Sequence, residues 1–233
     1  SPQGDTVPGG ACVPPGPAQD RACPRRTPPG MGTGRLEAFS DGVIAVAITL
    51  LVLGIAVPRP SAHPLAHDLL KQWPQYAAYV VSFMTIGIIW INHHAMLGRL
   101  READHSILIL NLLLLMTIGL LPFATALMAE YLRHSGESLA AAVYAGCFLL
   151  MATAFSTLNR HLLIDRAHLL RSELPLEERR FILRRAAVGV VPYAVATPLA
   201  FVSPYLTLGI CAALDLYYAL PRATGYRGSV SRP

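Results

Sequence analysis

The sequence is short of charge. Asp, Glu, Lys and Arg make up 14% of its 233 residues, whereas 53% are hydrophobic. A soluble domain carries about 25% charged residues, so a large soluble core is excluded and a membrane protein is expected. The apolar residues are gathered into runs longer than about 17 residues, the least that crosses the hydrocarbon layer as a helix. A net charge of +5 would fit nucleic acid on a soluble domain. Here the arginines fall between the apolar runs and form no stripe, so no nucleic-acid partner is expected. Cysteine is also scarce. Cys12, Cys23, Cys147 and Cys211 show no metal-ligand spacing. Cys147 and Cys211 lie inside apolar runs as packing residues. Cys12 and Cys23 lie in a tail expected to be cytoplasmic, where disulfides are rare. No internal repeat is visible, so a pore would have to be built from several copies of the chain, with closed cyclic symmetry the usual arrangement.

Residues 1–34 are rich in Pro and Gly and hold no apolar run. They read as a disordered tail and not as a signal peptide. Six transmembrane helices are expected in residues 35–221, followed by a short tail over 222–233. The spans fall at about Leu36 to Val57, Pro74 to Leu97, Ser106 to Ala129, Ser138 to Leu158, Ala186 to Val202 and Pro204 to Leu220. Pro122 is expected to kink the third. Pro192, Pro198 and Pro204 are expected to kink or tilt the last two, which membrane helices tolerate because neighbours satisfy the freed backbone groups. The fold class is therefore an all-α integral membrane protein. Placing the N-terminus inside puts 16 of the 19 Lys and Arg on the inner side. The positive-inside rule then sets both termini in the cytoplasm, and a plasma-membrane location is expected. The arginines from Arg160 to Arg185 lie in a cytoplasmic connection that reads as a solvated, lipid-facing amphipathic helix. They are not a voltage sensor, which would carry Arg every third residue within a span.

The first span carries the densest pattern, Arg35-Leu-Glu-Ala-Phe39-Ser40-Asp41-Gly42 running into an apolar stretch. At about 100° per residue, Gly42, Val46, Thr49 and Leu53 share one narrow face. Asp41, Ala45, Ile48 and Val52 share another. One surface is an apolar stripe with a single hydroxyl. The other holds a carboxylate at a depth where it needs a partner. Ser40 and Asp41 would serve equally as a helix cap, although Arg35-Leu-Glu-Ala ahead of them already reads as helix. The second span ends Trp90-Ile-Asn92-His93-His94. Adjacent histidines point about 100° apart and lack metal spacing, so no structural metal is expected. One His is expected to face Asp41 or Ser40 and the other the membrane interface. The third span carries Asn111 in an otherwise apolar run, level with Asp41 and His93, where an amide joins helices. Ser40, Asp41, Asn92, His93, His94 and Asn111 are thus expected to form one polar cluster.

Arg35 with Phe39-Ser40-Asp41-Gly42, Asn92-His93-His94 after Trp90, and Asn111 followed by Leu121-Pro122-Phe123 together resemble the signature of the transmembrane protein 175 family, the lysosomal potassium channel and its bacterial relatives. The resemblance covers about residues 35 to 220. It implies a homotetramer in which four copies of the first helix line a central pore, with K+ and other monovalent cations as permeant ions and no cofactor. The family lacks the Thr-Val-Gly-Tyr-Gly re-entrant filter, and this sequence has no such loop. The resemblance further implies an apolar constriction at Val46, a pore hydroxyl at Thr49, and a structural role for Arg35, Phe39, Ser40 and Asp41 with the second and third helices.

Two other functions compete at this stage. A proton-coupled transporter would use Asp41 with His93 or His94 as a relay, but inverted repeats and broken helices near the midplane are missing. An intramembrane enzyme would use Ser40, Asp41 and the histidines, but no nucleophile motif supports it. A non-enzymatic, potassium-permeable cation channel is the expectation.

Overall fold

The computed structural model describes residues 31–60 and 63–219. The elements run β1 (Met31–Gly32), α1 (Thr33–Leu50) with a 3-10 turn Leu51–Gly54, α2 (Leu65–Lys71), α3 (Trp73–Leu97), β2 (Glu102–Ala103), α4 (His105–Tyr131), α5 (Glu137–Arg160) extended by a π turn His161–Asp165, α6 (Leu176–Leu199) and α7 (Pro204–Ala219). Among the described residues the regular structure is helical apart from the β1–β2 pair and an isolated bridge between Leu100 and Leu170. Four of the helices are long and apolar enough to cross a membrane: Thr33–Gly54, Trp73–Leu97, His105–Tyr131 and Glu137–Asp165. α6 carries charge in its first half, and α7 has 16 residues.

Several boundaries differ from the sequence expectation, each for a local reason. α1 stops at Leu50, tightens into the 3-10 turn and is extended from Ile55. Gly54 sits there against α4, where an added Cβ would come within 3.4 Å of Ala126. The expected helix to Val57 is therefore three residues too long, and its last turn is 3-10. α2, expected as loop, is a short helix in the connection to α3. α6 starts at Leu176, ten residues before the expected span. Pro175 precedes it and Glu177 and Glu178 occupy its first turn, a good start for a helix because acidic groups there face the positive dipole end. Arg179, Arg180, Arg184 and Arg185 are therefore helical, as expected of an amphipathic segment, but they share one continuous helix with the apolar stretch after residue 186. α4 runs through Pro122 and α6 through Pro192 and Pro198 without interruption. Of the expected tail, residues 31–34 form β1 and the start of α1. Residues 1–30 and 220–233, with Cys12 and Cys23, lie outside the described residues.

α4 is the hub, packing against α1, α3 and α5, while α5 also packs against α6 and α7. Ile107, Leu114, Ile118, Leu121, Ala124 and Met128 of α4 are fully buried. The α5–α6 side uses small residues, with Ala141, Ala145, Ala152, Ala196 and Ala200 buried. This lets backbones approach closely where lipid offers no hydrophobic drive for association. Buried hydroxyls bridge the interior: Ser82 Oγ lies 2.7 Å from Thr125 Oγ1 and 3.1 Å from Tyr144 Oη. Gly136, at φ 98°, makes the left-handed turn between α4 and α5.

One end of the bundle is clasped by its connections. β1 pairs antiparallel with β2, setting Met31 against Ala103 and Gly32 against Glu102. On the other side of the same α3–α4 connection, Arg101 N donates to Leu169 O at 2.9 Å and Arg171 N to Arg99 O at 2.8 Å. Asp104 caps α4 through Ile107 N at 2.9 Å and pairs with Arg166 Nε. Partial burial pushes the Asp104 carboxyl up. The Ile107 amide and the Arg166 guanidinium outweigh that and hold it below its ordinary value.

Candidate functional site

α1 divides into an anchored side and a free side. Leu36, Ser40, Ile44, Ala47 and Leu51 are buried against α3 and α4, a spacing of four, four, three and four that follows one helical stripe. Phe39 is 53% exposed, Val46 56%, Leu50 44% and Leu53 75%. Thr49 is exposed with them and stands about 180° around the helix from Ser40. Its Oγ1 donates to Val46 O at 2.8 Å, which spends the hydroxyl proton inside the helix and leaves oxygen lone pairs outward. Val46, Thr49 and Leu53 thus lie on the side of α1 that this chain leaves uncovered. Leu53 belongs to the 3-10 turn, where about 120° per residue replaces 100°, so its direction is set by the turn and not by the helix expected there.

The anchored side is a directional chain of hydrogen bonds. His93 Nε2 lies 2.8 Å from Asn111 Oδ1, Asn111 Nδ2 donates to Ser40 Oγ at 2.9 Å, and Ser40 Oγ donates to Leu36 O at 2.8 Å. All three side chains are fully buried. With the imidazole proton on Nε2, every donor in the chain meets an acceptor. His93 Nδ1 is left buried without a partner. The expected meeting of Ser40, His93 and Asn111 is therefore present.

A second connection lies beside it. Trp90 Nε1 donates to Asp41 Oδ1 at 2.9 Å, and His94 Nδ1 sits 2.8 Å from Glu37 Oε1. Trp90 and Glu37 were not among the expected residues. Their signal was nonetheless in the sequence: Glu37 and Asp41 are four apart on α1, Trp90 and His94 four apart on α3, and two antiparallel helices bring such pairs into register. Ligand atoms of Glu37, Asp41 and His94 lie within 4.8 Å of one another, but hydrogen bonds to Trp90 and between Glu37 and His94 already engage all three. Asp41 makes no direct hydrogen bond to His93 or His94; its carboxylate is bonded to Trp90.

Three expected members stand apart. Asn92 donates back to Ile88 O at 2.7 Å and lines a different cavity. It cannot reach the cluster because His93 and Trp90, on a neighbouring face of α3, occupy the α1 side. Arg35 and Phe39 are exposed, and Arg35 makes no hydrogen bond among the described residues. The buried Thr85 to Asp215 bond, at 2.7 Å, was not anticipated, since residues 130 positions apart share no local pattern.

Known proteins resemble this chain in sequence and in fold. Residues 35–122 match the family described as endosomal/lysosomal potassium channel TMEM175. A potassium channel of Streptomyces collinus is 46% identical over 188 residues, 80% of this chain and 91% of that one. A potassium channel of Chamaesiphon minutus is 44% identical over 192 residues, 81% and 94% of the two chains. The crystal structure of a lysosomal potassium-selective channel TMEM175 homologue from Chamaesiphon minutus superposes with a TM-score of 0.72 at 43% identity, covering 82% of this chain and 97% of that one. Identity at this level over nearly the whole of these relatives shows that the chain belongs to the TMEM175 family.

Proposed function

We propose that the chain is a potassium-permeable, multi-pass membrane channel, and that four copies assemble with their α1 helices around the pore. The observation that carries this is the division of α1. A helix locked on one side by buried hydrogen bonds presents Val46, Thr49 and Leu53 on the opposite side, where only lipid, a pore or another copy can meet them. A pore resolves this exposure and gives the residues work. Val46 forms an apolar neck that closes by dewetting. Thr49 lies one turn along, about 4.5 Å further, and four such hydroxyls replace part of the hydration shell of K+. No carboxylate stands on this face, so monovalent cations pass and selectivity over Na+ is modest. α6 and α7 complete six spans, with the basic, clasped end in the cytoplasm and the channel in the plasma membrane.

The test is flux from liposomes that contain only the purified chain. K+ efflux is expected, with Thr49→Ala lowering the K+/Na+ permeability ratio and Val46→Asn raising conductance by wetting the neck. Unchanged permeation in both variants would sink the assignment of the face. A mass of the detergent complex other than four chains would overturn the stoichiometry.

A further inference from the structure

A second cavity lies away from the pore helix. α3, α5, α6 and α7 enclose about 540 Å³, with no α1 residue on its walls. That volume falls in the range of small-molecule sites, about 300–1,000 Å³. Ile88, Met151 and Phe155 supply apolar wall. Two charged side chains on the same wall are incompletely satisfied. Asp215 is only 7% exposed. Its Oδ1 accepts from Thr85 at 2.7 Å, and its Oδ2 is buried without a partner. The Arg185 guanidinium stacks over the Tyr218 ring at 5.3 Å, and its Nη2 is likewise buried and unpartnered. Tyr218 Oη donates to Arg185 O at 3.0 Å, which fixes α7 against α6 here. The carboxylate and the guanidinium form no ion pair, although Tyr218 follows Asp215 by less than one turn of α7. Arg99 and Glu178 line the same cavity, but neither is among its buried unpartnered groups.

A free carboxylate oxygen and a free guanidinium N–H, each out of water, are costly as they stand. A simple cation would satisfy Asp215 and be repelled by Arg185. A simple anion would do the reverse. A divalent metal needs more oxygen ligands than one carboxylate and the Thr85 hydroxyl supply. A zwitterion satisfies both groups at once, and a guanidinium favours phosphate as its anionic half. We propose that this cavity binds a compound carrying a primary ammonium and a phosphate a few ångströms apart, the ammonium on Asp215 and the phosphate on Arg185. An aminophospholipid headgroup and free phosphoethanolamine share that chemistry.

Native mass spectrometry of the assembled full chain, titrated with short-chain lipids, tests this. Phosphatidylethanolamine is expected to bind at least about tenfold tighter than phosphatidylcholine or phosphatidylglycerol of the same chains, because a trimethylated or absent ammonium cannot donate to Asp215. Asp215→Asn should bring phosphatidylethanolamine to the phosphatidylcholine level. Arg185→Gln should weaken both. Displacement by free phosphoethanolamine would identify the headgroup alone as sufficient, and failure to displace would assign the site to the lipid. Equal binding of the three lipids by the unmutated chain, or a preference that survives Asp215→Asn, would overturn the proposal and leave the cavity to water. The measurement needs no ion flux, so its failure leaves the channel reading standing.

Discussion

Replacing Asn111 by Leu tests whether α1 is held by its polar chain. The swap conserves size, so the loss is almost entirely in hydrogen bonding. Asn111 Oδ1 faces His93 Nε2 at 2.8 Å and Nδ2 donates to Ser40 at 2.9 Å. The imidazole N–H would be stranded at a site with no solvent access, which costs about 1–3 kcal/mol. Loss of the Ser40 bond adds about 0.6 kcal/mol, the mean for interhelical bonds in membranes. Ser40 keeps its own bond to Leu36 O, so it adds no stranded donor. The total is about 2–4 kcal/mol, measured as the shift in unfolding free energy of the chain in mixed detergent micelles. Adding His93→Leu removes the stranded donor, so the double variant should be at least about 1 kcal/mol more stable than the sum of the single losses predicts. A loss below about 0.5 kcal/mol for Asn111→Leu, or strict additivity in the double variant, would show that the chain of bonds does not hold α1.

Other predictions concern the flanks of the same helix and the clasp. Trp90→Phe removes the donor to Asp41 and should cost about 1 kcal/mol of stability, since the pair is partly exposed. The K+/Na+ ratio should be unchanged, and a changed ratio with intact stability would refute the separation of anchor from pore face. At Asp104 the folded carboxyl sits below its unfolded value. Its stabilisation is therefore fully present above the unfolded value, about pH 3.9, and lost as pH falls through the lower folded value. Asp104→Asn keeps the helix cap but loses the Arg166 pair. With both side chains about a third exposed, the cost should be about 0.5–1 kcal/mol at neutral pH. That difference should shrink on strong acidification, and one that grows instead would show that the sign is wrong. Gly136→Ala forces an L side chain to φ 98° and should lower unfolding free energy by about 1–2 kcal/mol, with no effect on ion selectivity.

Much of the fold was legible because a membrane forbids alternatives. A long run without charge must be a helix when nothing but lipid surrounds it, and four runs are long, apolar helices in the structure. Where charge returned, the boundary was placed late. The arginines ahead of residue 186 suggested an amphipathic helix separate from the span, yet a helix needs only one start signal, and Pro175 with Glu177 and Glu178 begins a single helix that runs on through the apolar stretch. At the far end of α1 the opposite error occurred. Ile55, Ala56 and Val57 are as apolar as the helix before them, so composition could not reveal a backbone that had already turned extended.

The polar side chains inside the spans show most clearly what sequence can and cannot say. Apolar burial does not set helix register in lipid, so the polar atoms must. Ser40, His93 and Asn111 bond across helices, as do Ser82 with Thr125 and Thr85 with Asp215. Others bond only to their own helix, among them Thr49, Asn92, Thr153 and Thr157. Nothing local in the sequence separates the two groups, because the separation depends on what lies opposite. Bonding to its own helix is therefore not what marks Thr49, since the exposed hydroxyls of Thr153 and Thr157 do the same on α5. What sets Thr49 apart is its place opposite Ser40, on a helix whose other side is held by a continuous chain of buried hydrogen bonds. That placement joins the two halves of the motif: the conspicuous residues fix the helix, and the plain ones on its far side are those that would meet the ion in the proposed channel.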